Sequence, residues 1–252
     1  MDQLTSAYAS SPLLFWMGGS LLIYLLATNA FWLARSIHPE RLPAGQWLAQ
    51  AGRFLFYLGI PYLALGGWPR QPYAGLLSLE DIGIVGLGGR WPVIRWLEAV
   101  GTGLTVGLVA FLVLILAWAG ARRLTGSAQL SFPSRPWWAI LVQVLYLEAH
   151  WAFYRGALSV ALDDLYAAVF WGLGVVYVEW ALDPFWRQGW RQGSQAPERW
   201  LRAALALVVA LLFFLTRNLW VCLGIHWLFE FIFWRLGRER TRATALGDAP
   251  LP

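Results

Sequence analysis

The sequence predicts an all-α protein, a polytopic transmembrane helical bundle of about seven spans, and three observations predict it. Of 252 residues 59% are hydrophobic and only 13% charged, against roughly 25% charged in a soluble globular chain. Apolar stretches recur along the chain, each near the roughly 20 residues that about 30 Å of hydrocarbon requires. There are also 18 Trp, 9 Tyr and 14 Phe, and amphipathic rings favour the headgroup level at both faces of a bilayer. The Trp content marks a class of protein and names no activity.

The first span is placed at about 12 to 34. It is too long for a signal peptide and lacks a small-residue cleavage site and a basic leading region, so it is expected to be a retained helix. The second, at about 47 to 67, is interrupted by Arg53, Gly59 and Pro61. The third runs from about 98 to 120, after a long interval containing LSLEDIGIVGLGGRWP. This Gly-rich apolar interval is expected to be interfacial or re-entrant. Its GLGG lacks the register of a phosphate-binding loop. The fourth and fifth spans lie at about 137 to 157 and 164 to 182. The tandem WRQGWRQG at 186 to 193 reads as an interfacial Trp and Arg belt. The sixth and seventh, at about 201 to 216 and 219 to 235, are separated only by the polar turn Thr216, Arg217, Asn218. Residues 1–74 therefore form an N-terminal group of transmembrane helices, 75–235 a helical core, and 236–252 a cytoplasmic tail expected to be disordered.

The net charge of +5 comes entirely from arginine, since the chain contains no lysine. A basic balance in a membrane chain points to anionic headgroups, so membrane lipids are expected partners and nucleic acid is not. Arginines concentrate in alternate loops: Arg35 and Arg41, then Arg122, Arg123 and Arg135, then Arg187, Arg191, Arg199 and Arg202, then the tail. Short cytoplasmic loops carry such an excess, which predicts the N-terminus outside and the C-terminus in the cytoplasm. The interval 68 to 97, with Arg70, Arg90 and Arg95, departs from the alternation. The single cysteine, Cys222, forms no intramolecular disulfide.

Few ionisable groups fall inside the spans, and each costs at least a few kcal/mol at the bilayer centre unless it meets a partner or water. They are Arg53, the group Glu148, His150 and Arg155 in LEAHWAFYRGAL, Glu179, and the pair His226 and Glu230. Glu148 and Arg155 are about two turns apart, on one stripe but roughly 10 Å distant along the axis. His150 faces away from Glu148, toward the side of Tyr154. Cys222, His226 and Glu230 follow one another at spacings of four on one face. Each has a structural reading: an ion pair within or between helices, a hydrogen-bonded pair locking two helices, a packing thiol, a Glu179 reaching for headgroups, an Arg53 that snorkels. The chemical reading is that a carboxylate and an imidazole from two helices activate water as a general base. Zinc would draw on His226, Glu230 and either Glu148 or His150, at spacings that match no zinc signature. No cofactor and no metal are assigned.

These residues resemble those of the CPBP intramembrane proteases, the family of CAAX-processing endopeptidases and of many bacterial proteins linked to bacteriocin self-immunity. That family carries two adjacent glutamates followed four residues later by arginine and usually glycine, then Phe-x-x-x-His, then His-x-x-x-Asn or Asp. Here HWAFYRG at 150 to 156 stands where the first motif would, IHWLFE at 225 to 230 where the last would, and SLEDIGI at 78 to 84 looks like the element that often precedes the core. The resemblance covers roughly residues 75 to 235 and carries over to Arg155, His226 and Glu230. The paired-glutamate positions hold His150 and Trp151, with Glu148 the nearest carboxylate, and Gly174 stands four residues after Phe170. The resemblance implies a bacterial plasma-membrane protein in which Glu148 is the general base, His226 orients water or the oxyanion, and Arg155 holds the glutamate. Displaced motif positions imply weak or no proteolysis, with a membrane peptide or isoprenoid as candidate ligand. The alternative is a non-enzymatic scaffold or assembly subunit with a membrane-protein partner, or a protein that binds a lipid, quinone or pigment.

Overall fold

The computed structural model describes residues 12–37, 45–65, 91–125, 136–191 and 196–247. The interval holding SLEDIGI and GLGG lies outside the described residues. Regular structure among the described residues is entirely helical: α1 Pro12–Ile37, α2 Gly45–Phe54, a π turn Leu55–Gly59, α3 Ile60–Leu65, α4 Val93–Thr125, α5 Trp137–Leu162, α6 Leu165–Leu182, α7 Pro184–Arg191, α8 Ala196–Thr216 and α9 Leu219–Gly247.

Among the described residues five helical stretches are long and apolar enough to cross a membrane: Leu13–Ile37, Val93–Ala121, Leu165–Leu182, Ala196–Thr216 and Leu219–Gly237. The expected seven would add α5, which is as long as α1 but carries Glu148, His150 and Arg155, and the short α2 and α3 with the π turn between them. The last helix continues to Gly247, past the boundary at 235 expected from the loss of apolar residues. Arg, Glu, Ala and Leu in RERTRATALG are good helix formers, so backbone preference extends the helix after hydrophobicity has ended.

Polarity is distributed inside out. Leu22, Ile23 and Leu26 of α1 and Leu104, Leu108, Val113 and Leu116 of α4 are all at least 59% exposed, whereas Glu148, His150, Arg155, Glu179, Arg202 and His226 are buried. A soluble monomer rarely exposes so continuous an apolar surface. In lipid the same arrangement keeps these six costly groups in the interior. The helices are thus consistent with an integral membrane protein.

At the centre, α5 packs against α1, the π turn, α3, α6 and α9, while α4 lies against α8 and α9. Two close connections bind this core. Asp163, at φ 51°, ends α5 in the left-handed conformation, and Asp164 caps α6 by accepting from the Tyr166 and Ala167 N–H groups. Arg217, at φ 50°, makes the second turn. Asn218 then caps α9 through Oδ1, which accepts from Trp220 and Val221 N–H at 3.0 and 3.2 Å. Arg217 Nη2 donates to Tyr166 Oη at 3.4 Å, so both turns lie at one end of the bundle.

Glycine sets how near α4 comes to α9. A Cβ at Gly103 would collide with Val221 Cγ1, and one at Gly107 would lie 3.4 Å from Ile225 Cδ1. Small residues four apart let helix backbones approach closely where no hydrophobic force draws them together in lipid. Val221 and Ile225 sit beside Cys222 and His226 in sequence, about 100° round the helix. The glycine contact therefore fixes the rotation of α9 that turns its polar stripe away from α4.

Candidate functional site

That stripe faces α5. His226 Nδ1 lies 2.7 Å from Glu148 Oε1, and both residues are essentially inaccessible. Trp151, one turn beyond Glu148, stacks on the imidazole at 5.4 Å with the planes only 7° apart. The remaining ring nitrogen, His226 Nε2, lies 3.7 Å from Glu230 Oε1. Glu230 Oε1 accepts from Arg202 Nε at 3.2 Å, and Arg202 Nη2 pairs with Glu198 at 2.7 Å. A line of alternating acidic and basic side chains thus runs from α5 through α9 to α8. A buried carboxylate is tolerable only when its charge is matched in this way.

Two polar atoms of the central pair have no hydrogen-bond partner: Glu148 Oε2 and His226 Nε2. The pair therefore retains an acceptor and a second imidazole nitrogen for a small polar molecule. No group of three or more His, Cys, Asp and Glu side chains placed to hold a metal ion occurs among the described residues. His226 stands between the carboxylates of Glu148 and Glu230 and the three form a line. Cys222, on the same stripe, is fully buried, and its thiol donates weakly to the Val209 carbonyl at 3.9 Å.

Arg155 does not join this line. Its guanidinium lies 4.1 Å from the centroid of the Phe213 ring, and Nε and Nη2 have no hydrogen-bond partner. The role of holding Glu148, which the family resemblance assigns to it, has no hydrogen bond behind it. Gly172 of α6 makes room for the stem, since a Cβ there would lie 3.2 Å from Arg155 Cγ.

On the other side of α5 is a second buried cluster. Glu179 Oε2 accepts from Tyr154 Oη at 2.9 Å and lies 3.2 Å from His150 Nε2. Phe56 and Tyr57 cover the imidazole, with ring centroids 4.3 and 5.0 Å away. Glu179 is 1% exposed, which corrects the expectation that it reaches toward headgroups. Its position near the end of α6 suggested that escape, but α5 supplies two partners on the inward face, and pairing there avoids leaving a charge in hydrocarbon. The shared face of His150 and Tyr154 was legible from their spacing. The inward pair Phe56 and Tyr57 was not, because the π turn shifts the helical register at that point. Arg202 was assigned to a basic loop, yet it is 7% exposed and part of the buried charge line. Its one local signal is Glu198, one turn earlier. Arg53 is exposed on α2.

Fold and site together define a class: an all-helical chain with several apolar helices, consistent with a membrane protein, and with carboxylate–imidazole pairs in its interior. No family model matches the chain, and neither a curated protein nor a solved structure matches it.

Proposed function

We propose that this chain is an integral membrane protein of the CPBP intramembrane protease type whose catalytic centre is degenerate, with weak or no proteolytic activity. One observation carries the reading: the 2.7 Å contact between Glu148 and His226, from separate helices, with Glu148 Oε2 and His226 Nε2 left without hydrogen-bond partners. A water held between a carboxylate and an imidazole gives up a proton as its oxygen attacks a peptide carbonyl. The proton then passes to the departing amide nitrogen. In this reading Glu148 is the general base, His226 orients the water or the oxyanion, Glu230 steadies His226, and Arg155 lends positive charge without contact. Trp151 and Gly174 occupy positions where the family carries glutamate and histidine, which weakens the chemistry. A membrane peptide or an isoprenoid-bearing peptide is the substrate class.

The same reading makes α5 and the α2–α3 segment membrane spans, for a total of seven. Residues 1–74 are then N-terminal helices, 75–235 the family core, and 236–252 the tail. It places the chain in a bacterial plasma membrane with the N-terminus outside and the C-terminus cytoplasmic. In support, the end of α1, α7 and the start of α8 share a pocket lined by Arg35 and Arg199, while Asp163, Asp164 and Arg217 lie at the turns. Arginine excess at one end is the pattern expected of a cytoplasmic face.

A second reading is favoured by the closure of the centre. Trp151 covers the face of His226, and Phe213 covers Arg155. A scaffold or assembly subunit, or a binder of lipid, quinone or pigment, needs no water at Glu148. The deciding experiment reconstitutes the protein in liposomes and follows cleavage of a prenylated peptide by mass spectrometry. Slow cleavage abolished by Glu148→Gln and by His226→Ala supports the protease reading. No cleavage by wild type, or a rate untouched by both substitutions, removes the catalytic roles given to Glu148 and His226.

A further inference from the structure

At the arginine-rich end, away from the two turns, a pocket of about 390 Å³ opens between α1, α7 and α8. We propose that it holds the phosphate headgroup of an anionic glycerophospholipid. Among the described residues its charged lining is cationic: Arg35 from the last turn of α1 and Arg199 from the first turn of α8. Guanidinium groups present planar donor forks that fit phosphate oxygens. The Arg199 guanidinium is already oriented, lying 4.4 Å from the Trp186 ring centroid. Gln188 of α7 adds an amide on the same rim, and Trp32 and Phe185 form the apolar wall.

The place in the fold selects a lipid over a free anion. Arg35 follows directly on the apolar run of α1, and Trp32, three residues earlier on the same face, lines the pocket and is 39% exposed. Its ring offers an apolar surface for acyl chains next to the cationic pocket. In α7, Trp186 and Trp190 accompany Arg187 and Arg191, the composition of a helix lying in the headgroup layer. A basic pocket between helices at that depth is a recognised arrangement for anionic headgroups. The pocket lies apart from Glu148 and His226, so the inference does not depend on any catalytic reading.

The test is native mass spectrometry of the detergent-purified full chain, titrated with phosphatidylglycerol or phosphatidylcholine. Wild type should retain phosphatidylglycerol preferentially. Arg35→Gln should weaken that binding by about fivefold, and Arg35→Gln with Arg199→Gln by more. Arg187→Gln with Arg191→Gln, which removes two arginines of α7 that do not line the pocket, should leave it unchanged. Equal losses in the pocket and control variants would overturn the proposal by showing general attraction to a basic surface. Displacement of the lipid by equimolar inorganic phosphate would overturn it in favour of a free-anion site. Arg35 is exposed, so the single variant keeps the test informative even if loss of Arg199 disturbs the Trp186 contact.

Discussion

Glu148 and His226, 78 residues apart in the chain, meet at 2.7 Å between two helices that run in opposite directions. The contact joins α5 to α9 at the level where Trp151 stacks on the imidazole and Glu230 stands behind it. A helix pair in lipid gains little from apolar burial, because acyl chains are as apolar as leucine. A matched polar pair of this kind therefore weighs heavily in choosing one packing over another.

The pair should behave as a coupled unit. Glu148→Gln and His226→Gln are each expected to destabilise the detergent-solubilised protein. In a double-mutant cycle the coupling should fall within about 0.5 to 3 kcal/mol. Chemical denaturation of the four proteins measures it, and additive losses would show that the two side chains act separately.

Arg155 should respond in the opposite sense. It is buried with two donors unsatisfied and no carboxylate bonded to it. Removing a buried guanidinium whose donors are unsatisfied relieves the cost of keeping that charge out of water. Arg155→Met is expected to hold or raise the melting temperature. Arg202→Met should lower it, since Glu230 and Glu198 lose their partner. A marked loss of stability in Arg155→Met would show that its contact with Phe213 and its charge near Glu148 outweigh the cost of burying it.

The glycine contact between α4 and α9 is testable by rescue. Gly103→Ala is expected to cost about 1 to 3 kcal/mol by overpacking against Val221. Gly101→Ala, two residues away with nothing within 4 Å, should be neutral or slightly stabilising. Val221→Ala removes the atom that Gly103→Ala strikes, so the double variant should recover most of the loss. Thermal unfolding of the four chains reads the pattern, and equal effects at 101 and 103 would contradict it.

Asn218 is the cap on which the start of α9 depends. Asn218→Ala leaves the Trp220 and Val221 N–H groups without their side-chain acceptor and is expected to cost about 0.5 to 2 kcal/mol. Asn218→Asp and Asn218→Ser keep an acceptor oxygen and should retain most of the stability. Hydrogen exchange at the first turn of α9 follows the effect locally, and protection unchanged in Asn218→Ala would argue against the cap.

Composition and periodicity established the helical class, the presence of Glu148, His150, Arg155, Glu179, His226 and Glu230 within helices, and the single face shared by Cys222, His226 and Glu230. These are properties of one helix at a time: a rise and a rotation per residue fix which side chains share a face, whatever surrounds them. Packing decided the rest. Glu148 met His226 while Arg155, on its own stripe, came to rest on Phe213. Glu179 turned inward to His150, and Arg202 left its basic loop to complete the line through Glu230. Those outcomes depend on how closely and at what offset helices cross, which Gly103 and Gly107 set for α9 and the widened turn at Leu55–Gly59 sets for the cover over His150. Residues far apart in the chain decide such distances together, and no local pattern contains them.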